Sequence, residues 1–213
     1  MKFNMMDNVV TRALSRICDF VILNVLWLVC SVPIVTIGAS TAALYSVMHK
    51  IVRNEEGYIA RSFFKAFKEN FKQSTIMWLL FLVLGTILSV DLNVAKMLEG
   101  TMRLVFQVIF GFFSFWLFAV FLYAFPLTAR YENSIKATFK NAVILSIAKL
   151  PYTILMMVIT AGPVLLSLLT VRTLLVSVPI WMGIGVSIVA WLNAYILKWV
   201  FKIFETDQEG NKG

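Results

Sequence analysis

Residues 104–129 read LVFQVIFGFFSFWLFAVFLYAFPLTA and contain no Asp, Glu, Lys, Arg or His, and this run decides the fold class. A transmembrane helix needs roughly 20 mostly apolar residues to cross the hydrocarbon core of a bilayer. Four more runs free of these five residue types lie at residues 20–48, 73–90, 150–171 and 173–197. A soluble domain in a chain of 213 residues does not need five of them. We therefore predict an all-α, polytopic transmembrane helical bundle.

The composition agrees with a membrane protein. Hydrophobic residues make up 60% of the chain and charged residues 14%, against about 45–50% and 25% in soluble domains. We predict a single integral membrane domain at residues 1–204, followed by a short polar cytoplasmic tail at residues 205–213. The predicted membrane segments are approximately 17–48, 73–92, 104–127, 150–171 and 173–199.

The Lys and Arg residues alternate between the two sides of these segments. Six lie in residues 49–72, two in 91–103, four in 130–149, one at Arg172, and three from residue 198 onward. Cytoplasmic loops carry the excess of Lys and Arg, so the richer stretches are predicted to be cytoplasmic. The net charge of +8 is thus explained by topology and by contacts with anionic lipid rather than by nucleic-acid binding. We predict a multi-pass protein of the cytoplasmic membrane.

The first segment, residues 17–48, contains residues that break or bend a helix. Pro33 removes a backbone donor, Gly38 gives the backbone freedom, and Thr36 can satisfy freed backbone groups. Gly38 and Ala42 also have the spacing at which small residues allow helices to approach closely. The segment could be one long kinked helix, a hairpin that crosses twice, or a re-entrant loop, which gives five to six membrane segments. The charge count favours both termini in the cytoplasm.

Two basic amphipathic helices are predicted beside the spans, at residues 61–72 and 131–142. In each, aromatic residues share one helical face and Lys or Arg residues lie mostly on the other. Such helices lie in the headgroup plane of a membrane. The predicted interfacial lipid contacts are Phe63, Phe67, Lys68, Phe71, Phe139 and Lys140.

Candidate chemistry is sparse. Asn24 and Asn193 are the main intramembrane polar residues, and amides in lipid usually hydrogen-bond between helices. His49 is the single histidine, and no HExxH, P-loop or nucleophile-elbow pattern occurs. We therefore predict no catalytic, cofactor-binding or metal site, and a protein that is not an enzyme.

Three stretches resemble the YesL family of bacterial integral membrane proteins: PIVTIGASTAALY at residues 33–45, NEEG at 54–57 and FFKAFKENFKQ at 63–73. Residues 131–146 also fit the family pattern. The molecular function of that family is not established. The resemblance implies a genetic context of carbohydrate ABC importers, glycoside-degrading enzymes and two-component sensors, mostly in Gram-positive bacteria. It carries over no active-site residue.

We expect a non-catalytic membrane accessory protein associated with carbohydrate ABC import or sugar sensing. Its partners besides the lipid bilayer would be ABC sugar permease subunits or a membrane sensor kinase. The alternative is a small-solute transporter, which needs a polar path at mid-membrane, and Asn24 and Asn193 are the residues available for it. A membrane-embedded enzyme is the least favoured class. A polar cavity at the centre of the bundle would favour the transporter.

Overall fold

The computed structural model describes residues 3–55 and 57–210, with the side chains of Thr11, 14–55 and 57–202. The chain folds into α1 (Phe3–Ser31), α2 (Ile37–Val52), α3 (Ile59–Met97), α4 (Gly100–Arg130), α5 (Ile135–Ala148), α6 (Leu150–Leu168), α7 (Val171–Ile180) and α8 (Val186–Gly210). No strand occurs in these ranges, so the predicted all-α bundle is confirmed.

Five helical segments are long and apolar enough to cross a membrane. They are Leu14–Ser31, Ile59–Met97, Gly100–Arg130, Leu150–Leu168 and Val171–Lys202. The chain is therefore a multi-pass membrane protein.

The first apolar segment forms an antiparallel hairpin and not a single kinked helix. Near the open end, Nη2 of Arg16 donates a hydrogen bond of 3.3 Å to Oδ1 of Asn54. Closer to the turn, Nε1 of Trp27 donates to Oγ1 of Thr41 at 3.2 Å. The turn follows Ser31, and a short 3₁₀ helix at Ile34–Thr36 leads into α2. The hairpin thus returns the chain to the end of the bundle from which α1 enters.

The turn is formed by Pro33 and stabilised by Thr36, two of the residues from which a break in the helix was predicted. Pro33 has extended backbone angles and begins the 3₁₀ turn. The hydroxyl of Thr36 lies 2.6 Å from the carbonyl oxygen of Cys30 and 2.8 Å from that of Pro33. These contacts satisfy carbonyl groups that a broken helix leaves without a partner.

The centre of the bundle is α2, which packs against α1, α3, α4 and α8. Eleven of its 16 residues are buried. Gly38 lies so close to α3 that a Cβ atom there would overlap the carbonyl oxygen of Ser74 and the Cβ of Trp78. Ala42, one turn further along, is completely buried. Small residues at these two positions permit the close approach of α2 to its neighbours.

The helix α3 differs from the prediction, because the amphipathic segment 61–72 is not a separate interfacial helix. It is the first part of one continuous helix of 39 residues, which is about 58 Å long. The junction at Lys72 and Gln73 contains no Gly or Pro, so nothing in the sequence stops the helix there. Of the second amphipathic segment, residues 135–142 do lie in a separate helix, α5, whereas residues 131–134 precede it. The helix begins where the Ser134 side chain accepts from the N–H of Ala137.

The outer halves of α3 and α4 form a hairpin that packs almost entirely on itself. Between residues 82 and 118 only Ala95 is buried. The tight connection ends at Gly100, whose φ of 60° lies in the left-handed region that favours glycine. This hairpin offers a long apolar surface to its surroundings.

The last span differs from a regular helix. The helices α7 and α8 are joined without a gap by a π-helical turn at Trp181–Gly185. The helix α8 continues to Gly210, so residues 205–210 of the predicted tail are helical. Residues 211–213 lie outside the described part of the chain.

The basic segments meet at one end of the bundle. Nζ of Lys198 donates to the carbonyl oxygen of Val52 at 3.3 Å, close to the contact between Arg16 and Asn54. The guanidinium of Arg130 lies 5.0 Å from the ring centroid of Phe201. The connectivity carries residues 98–99 and 169–170 to the opposite end. That the basic end is cytoplasmic stays a prediction.

Candidate functional site

Asn24 joins the first helix to the π turn of the last span. Its Nδ2 donates to the carbonyl oxygens of Trp181 at 3.0 Å and Met182 at 2.8 Å. Its Oδ1 accepts from the backbone N–H of Ser187 at 3.1 Å. A π turn interrupts the regular hydrogen bonds of a helix, and the freed groups need partners in a membrane interior. One buried amide supplies three of these partners.

Local sequence explains why the helix opens at this point. Pro179 has no backbone N–H, so the last span lacks one hydrogen bond just before the turn. Gly185 lies under the ring of Trp181, where a Cβ atom would come within 2.8 Å of that side chain. The indole N–H of Trp181 donates to the hydroxyl of Ser167 at 3.0 Å, which fixes the ring against α6.

Asn193 lies in a second buried polar cluster. Its Nδ2 donates to Oγ1 of Thr160 at 2.8 Å and to the hydroxyl oxygen of Tyr45 at 3.4 Å. The side chain therefore links α8 to α6 and α2. Its Oδ1 is buried with no hydrogen-bond partner in the described structure. This cluster can accept one hydrogen bond from a small hydroxyl or a water molecule.

A cavity of about 200 Å³ lies beside this cluster. Its polar side chains are those of Thr41, Tyr45 and Thr160. The remaining lining is apolar or aromatic: Trp27, Ile37, Leu44, Trp78, Phe121, Leu122, Phe125, Val186, Val189 and Ala190. The cavity is smaller than the roughly 300–1,000 Å³ of typical small-molecule sites. Its lining is that of a packing defect with a polar rim and not of a polar path across the membrane.

His49 is buried near the end of α2, beyond the predicted segment 17–48. Its ring lies 6.3 Å from that of Tyr45 and 5.9 Å from that of Phe201. Burial, together with the charges of Arg130 and Arg53, lowers the pKa of His49 to about 3. The imidazole is therefore neutral near pH 7. The described residues include no group of three His, Cys, Asp or Glu side chains that could hold a metal ion.

The predicted lipid contacts on the first amphipathic segment differ in their burial. Phe63 is fully buried in the protein core, so this residue is a packing residue and not a lipid contact. An apolar helical face can cover protein as well as lipid, and here α2 lies along this part of α3. Phe67 is half-buried and stacks on Phe63, whereas Phe71 and Lys68 are exposed.

On the second segment the aromatic residue also packs inward. The ring of Phe139 lies 5.3 Å from that of Phe81 on α3, and the side chain is half-buried. Lys140 is exposed. The outward apolar surface of α5 is instead formed by Val143, Ile144 and Ile147.

A groove between α3 and α4 is a feature that the sequence analysis missed. It encloses about 530 Å³ and is lined by Gly85, Ser89 and Asn93 from α3 and by Ser114 from α4, among larger apolar residues. The three α3 residues recur every four positions, which places them on one face of the helix. That spacing was the signal available in the sequence.

Comparisons with known proteins agree with the resemblance seen in the sequence. Residues 20–92 match a family model described as a protein of unknown function, DUF624. The chain is 25% identical to the uncharacterized protein YteU of Bacillus subtilis (strain 168) over 158 residues, which cover 69% of each chain. It is 27% identical to the uncharacterized protein YesL of the same organism over 180 residues, which cover 80% of this chain and 84% of YesL. No solved structure matches it.

The matched region 20–92 runs from the inner part of α1 through α2 and most of α3. It therefore contains the hairpin, the central helix and the long helix that packs along it. The match and the two relatives together support a YesL-family assignment, with unknown molecular function.

Proposed function

We propose that this protein is a non-catalytic accessory subunit that packs against another membrane protein. The partner would be a permease subunit of a carbohydrate ABC importer or a membrane sensor kinase. The carbohydrate context rests on the family resemblance, and the accessory role rests on how the interior and the surface of the bundle are built.

The interior supports this proposal because its polar groups are used mainly between helices. Asn24 bonds to the backbone of the last span, and Asn193 bonds to Thr160 and Tyr45. The cavity beside them is small and mostly apolar. A transporter needs a substrate site with several free polar groups near the centre of the membrane.

The observation that carries the proposal is the open groove between α3 and α4. A Cβ atom on Gly85 would meet nothing within 4 Å, so none of the residues that the structure describes fills the space above it. Small residues at four-residue intervals are the usual surface for close packing of two transmembrane helices. The occupant that we assign to this groove is one transmembrane helix of the partner.

The experiment is co-purification of the tagged native protein in mild detergent, with mass spectrometry of the proteins that accompany it. We expect stoichiometric recovery of importer permeases or a sensor kinase. The variant Gly85→Leu should lose these companions, because the new side chain occupies the groove. Gly111→Leu is the matched control, since Gly111 lies in the same hairpin, also has open space around it, and does not line the groove.

Two results would contradict the proposal. Recovery of this chain alone from native membranes would show that it has no stable partner. Equal loss of companions in the Gly85→Leu and Gly111→Leu variants would show that the groove is not the contact surface.

One observation favours a transporter as the second candidate. The last span contains a π turn at Trp181–Gly185, and such turns inside helices are frequent at functional sites. The free Oδ1 of Asn193 would be the contact with the solute. Solute uptake by reconstituted vesicles, abolished by Asn193→Leu in a protein that still folds, would establish this function in place of the accessory role.

A further inference from the structure

We infer that the groove between α1 and α8, at the basic end of the bundle, binds the headgroup of an anionic phospholipid. Arg16 of α1 and Lys198 of α8 would hold the phosphate. Trp191 and Tyr195 of α8 would lie beside the glycerol region.

Both cations reach the same groove from different helices. The groove encloses about 470 Å³, and Arg16, Asn54 and Lys198 supply its polar lining. Arg16 and Lys198 are both exposed, and the contacts to Asn54 and Val52 use one donor of each cation. A guanidinium has five N–H donors and an ammonium has three, so donors remain for a phosphate group. Arg and Lys are the usual partners of phosphate oxygens.

An aromatic wall continues the groove toward the apolar part of the bundle. The rings of Phe20 and Trp191 lie 5.9 Å apart, and those of Trp191 and Tyr195 lie 6.4 Å apart. Trp and Tyr residues favour the headgroup level of a membrane, where one side is apolar and the other is wet. Tyr195 is 52% exposed, which leaves its hydroxyl accessible at this level.

The surroundings favour a lipid over a soluble phosphate. Next to the groove, Ile17 and Val21 of α1 and Leu192 of α8 are exposed and apolar, and they offer a surface for acyl chains. The nearby acids Asp19 and Glu55 do not line this groove, but they line an adjoining one that shares Arg16 and Asn54 with it. A soluble phosphate would have only the two solvent-exposed cations to retain it, whereas a lipid adds the burial of its chains.

The test measures binding of phosphatidylglycerol and of phosphatidylcholine with identical acyl chains to the full-length protein, by native mass spectrometry. We expect a clear preference for phosphatidylglycerol in the wild type. The double variant Arg16→Gln/Lys198→Gln should bind phosphatidylglycerol roughly thirtyfold more weakly, from the usual contribution of two basic residues at an anionic membrane surface. Its binding of phosphatidylcholine should not change.

Two further variants separate a site from general charge. Lys72→Gln/Lys136→Gln removes two exposed cations from other helices and should leave the preference intact. Arg16→Lys/Lys198→Arg keeps both charges and should retain most of the binding, and its elution profile checks that the groove tolerates substitution.

Three outcomes would overturn the inference. Equal affinity for the two lipids would exclude an anionic headgroup site. An equal loss in the Lys72→Gln/Lys136→Gln variant would show a diffuse electrostatic effect. Competition by millimolar inorganic phosphate, equal in strength to that of phosphatidylglycerol, would assign the groove to a soluble anion.

Discussion

The side chain of Asn24 accepts a hydrogen bond from the backbone N–H of Ser187 at 3.1 Å, across 163 residues of sequence. The same amide donates to the carbonyl groups of Trp181 and Met182, the first two residues of the π turn. One residue of the first helix therefore holds together the two halves of the last span.

Replacing Asn24 by Leu should destabilise the protein by about 2–4 kcal/mol, because three buried or part-buried backbone groups lose their partners. The measurement is thermal or denaturant unfolding of the purified protein in detergent. Asn93→Leu is the control, since that exposed amide donates to the Ser89 carbonyl and accepts from Nζ of Lys96, both on its own helix. Equal stabilities of the two variants would show that Asn24 does not support the π turn.

Gly38→Ala should cost about 1–3 kcal/mol of unfolding free energy, because the new methyl group overlaps α3 and forces the two helices apart. Gly162→Ala is the matched substitution on α6, where a Cβ atom meets nothing within 4 Å. It should be neutral or stabilising by up to about 1 kcal/mol, as expected for Gly→Ala in an open helical position. The same sign for both variants would contradict the close approach at Gly38.

Phe63→Ala should destabilise the fold by about 3 kcal/mol or more, since it empties a fully buried site. Phe71→Ala, on the same amphipathic segment, should change stability by less than about 0.5 kcal/mol, because this side chain is 41% exposed. Unfolding of the two variants under identical conditions gives the comparison. Similar effects at both positions would indicate that the segment covers lipid as a uniform apolar face.

The orientation of the bundle can be tested with single cysteines in a background with Cys18→Ala and Cys30→Ala. Glu99→Cys and Leu169→Cys should react with a membrane-impermeant maleimide in intact cells, because the positive-inside rule places these connections outside. Glu132→Cys, beside the basic segment 130–149, should react only after the membrane is opened. The reverse labelling pattern would place the basic end outside.

The spans could be predicted from sequence because a soluble domain of this length does not need five long runs without charged residues. The hairpin at residues 17–48 was one of the possibilities left open, and Pro33 and Thr36 marked its turn. The direction in which an amphipathic face points could not be predicted. Phe63 and Phe71 look equivalent in the sequence, and only the position of α2 beside α3 makes one a core residue and leaves the other exposed.

The π turn could not be predicted from the sequence either. Pro179 and Gly185 weaken the helix there, but they do not show which residue would repair the break. Asn24 could be recognised as an intramembrane polar residue that bonds between helices. Its partners could not be found from sequence, because they are backbone groups of the last span whose positions depend on the whole fold.

The contact between Asn24 and the last span also sets an order of events during biosynthesis. Asn24 is translated early, whereas the backbone groups that its side chain binds are translated about 160 residues later. Until then the first helix carries a polar side chain without its final partners. Native packing of the first helix is therefore completed only after the ribosome has produced the last one, and a chain truncated before residue 187 cannot reach it.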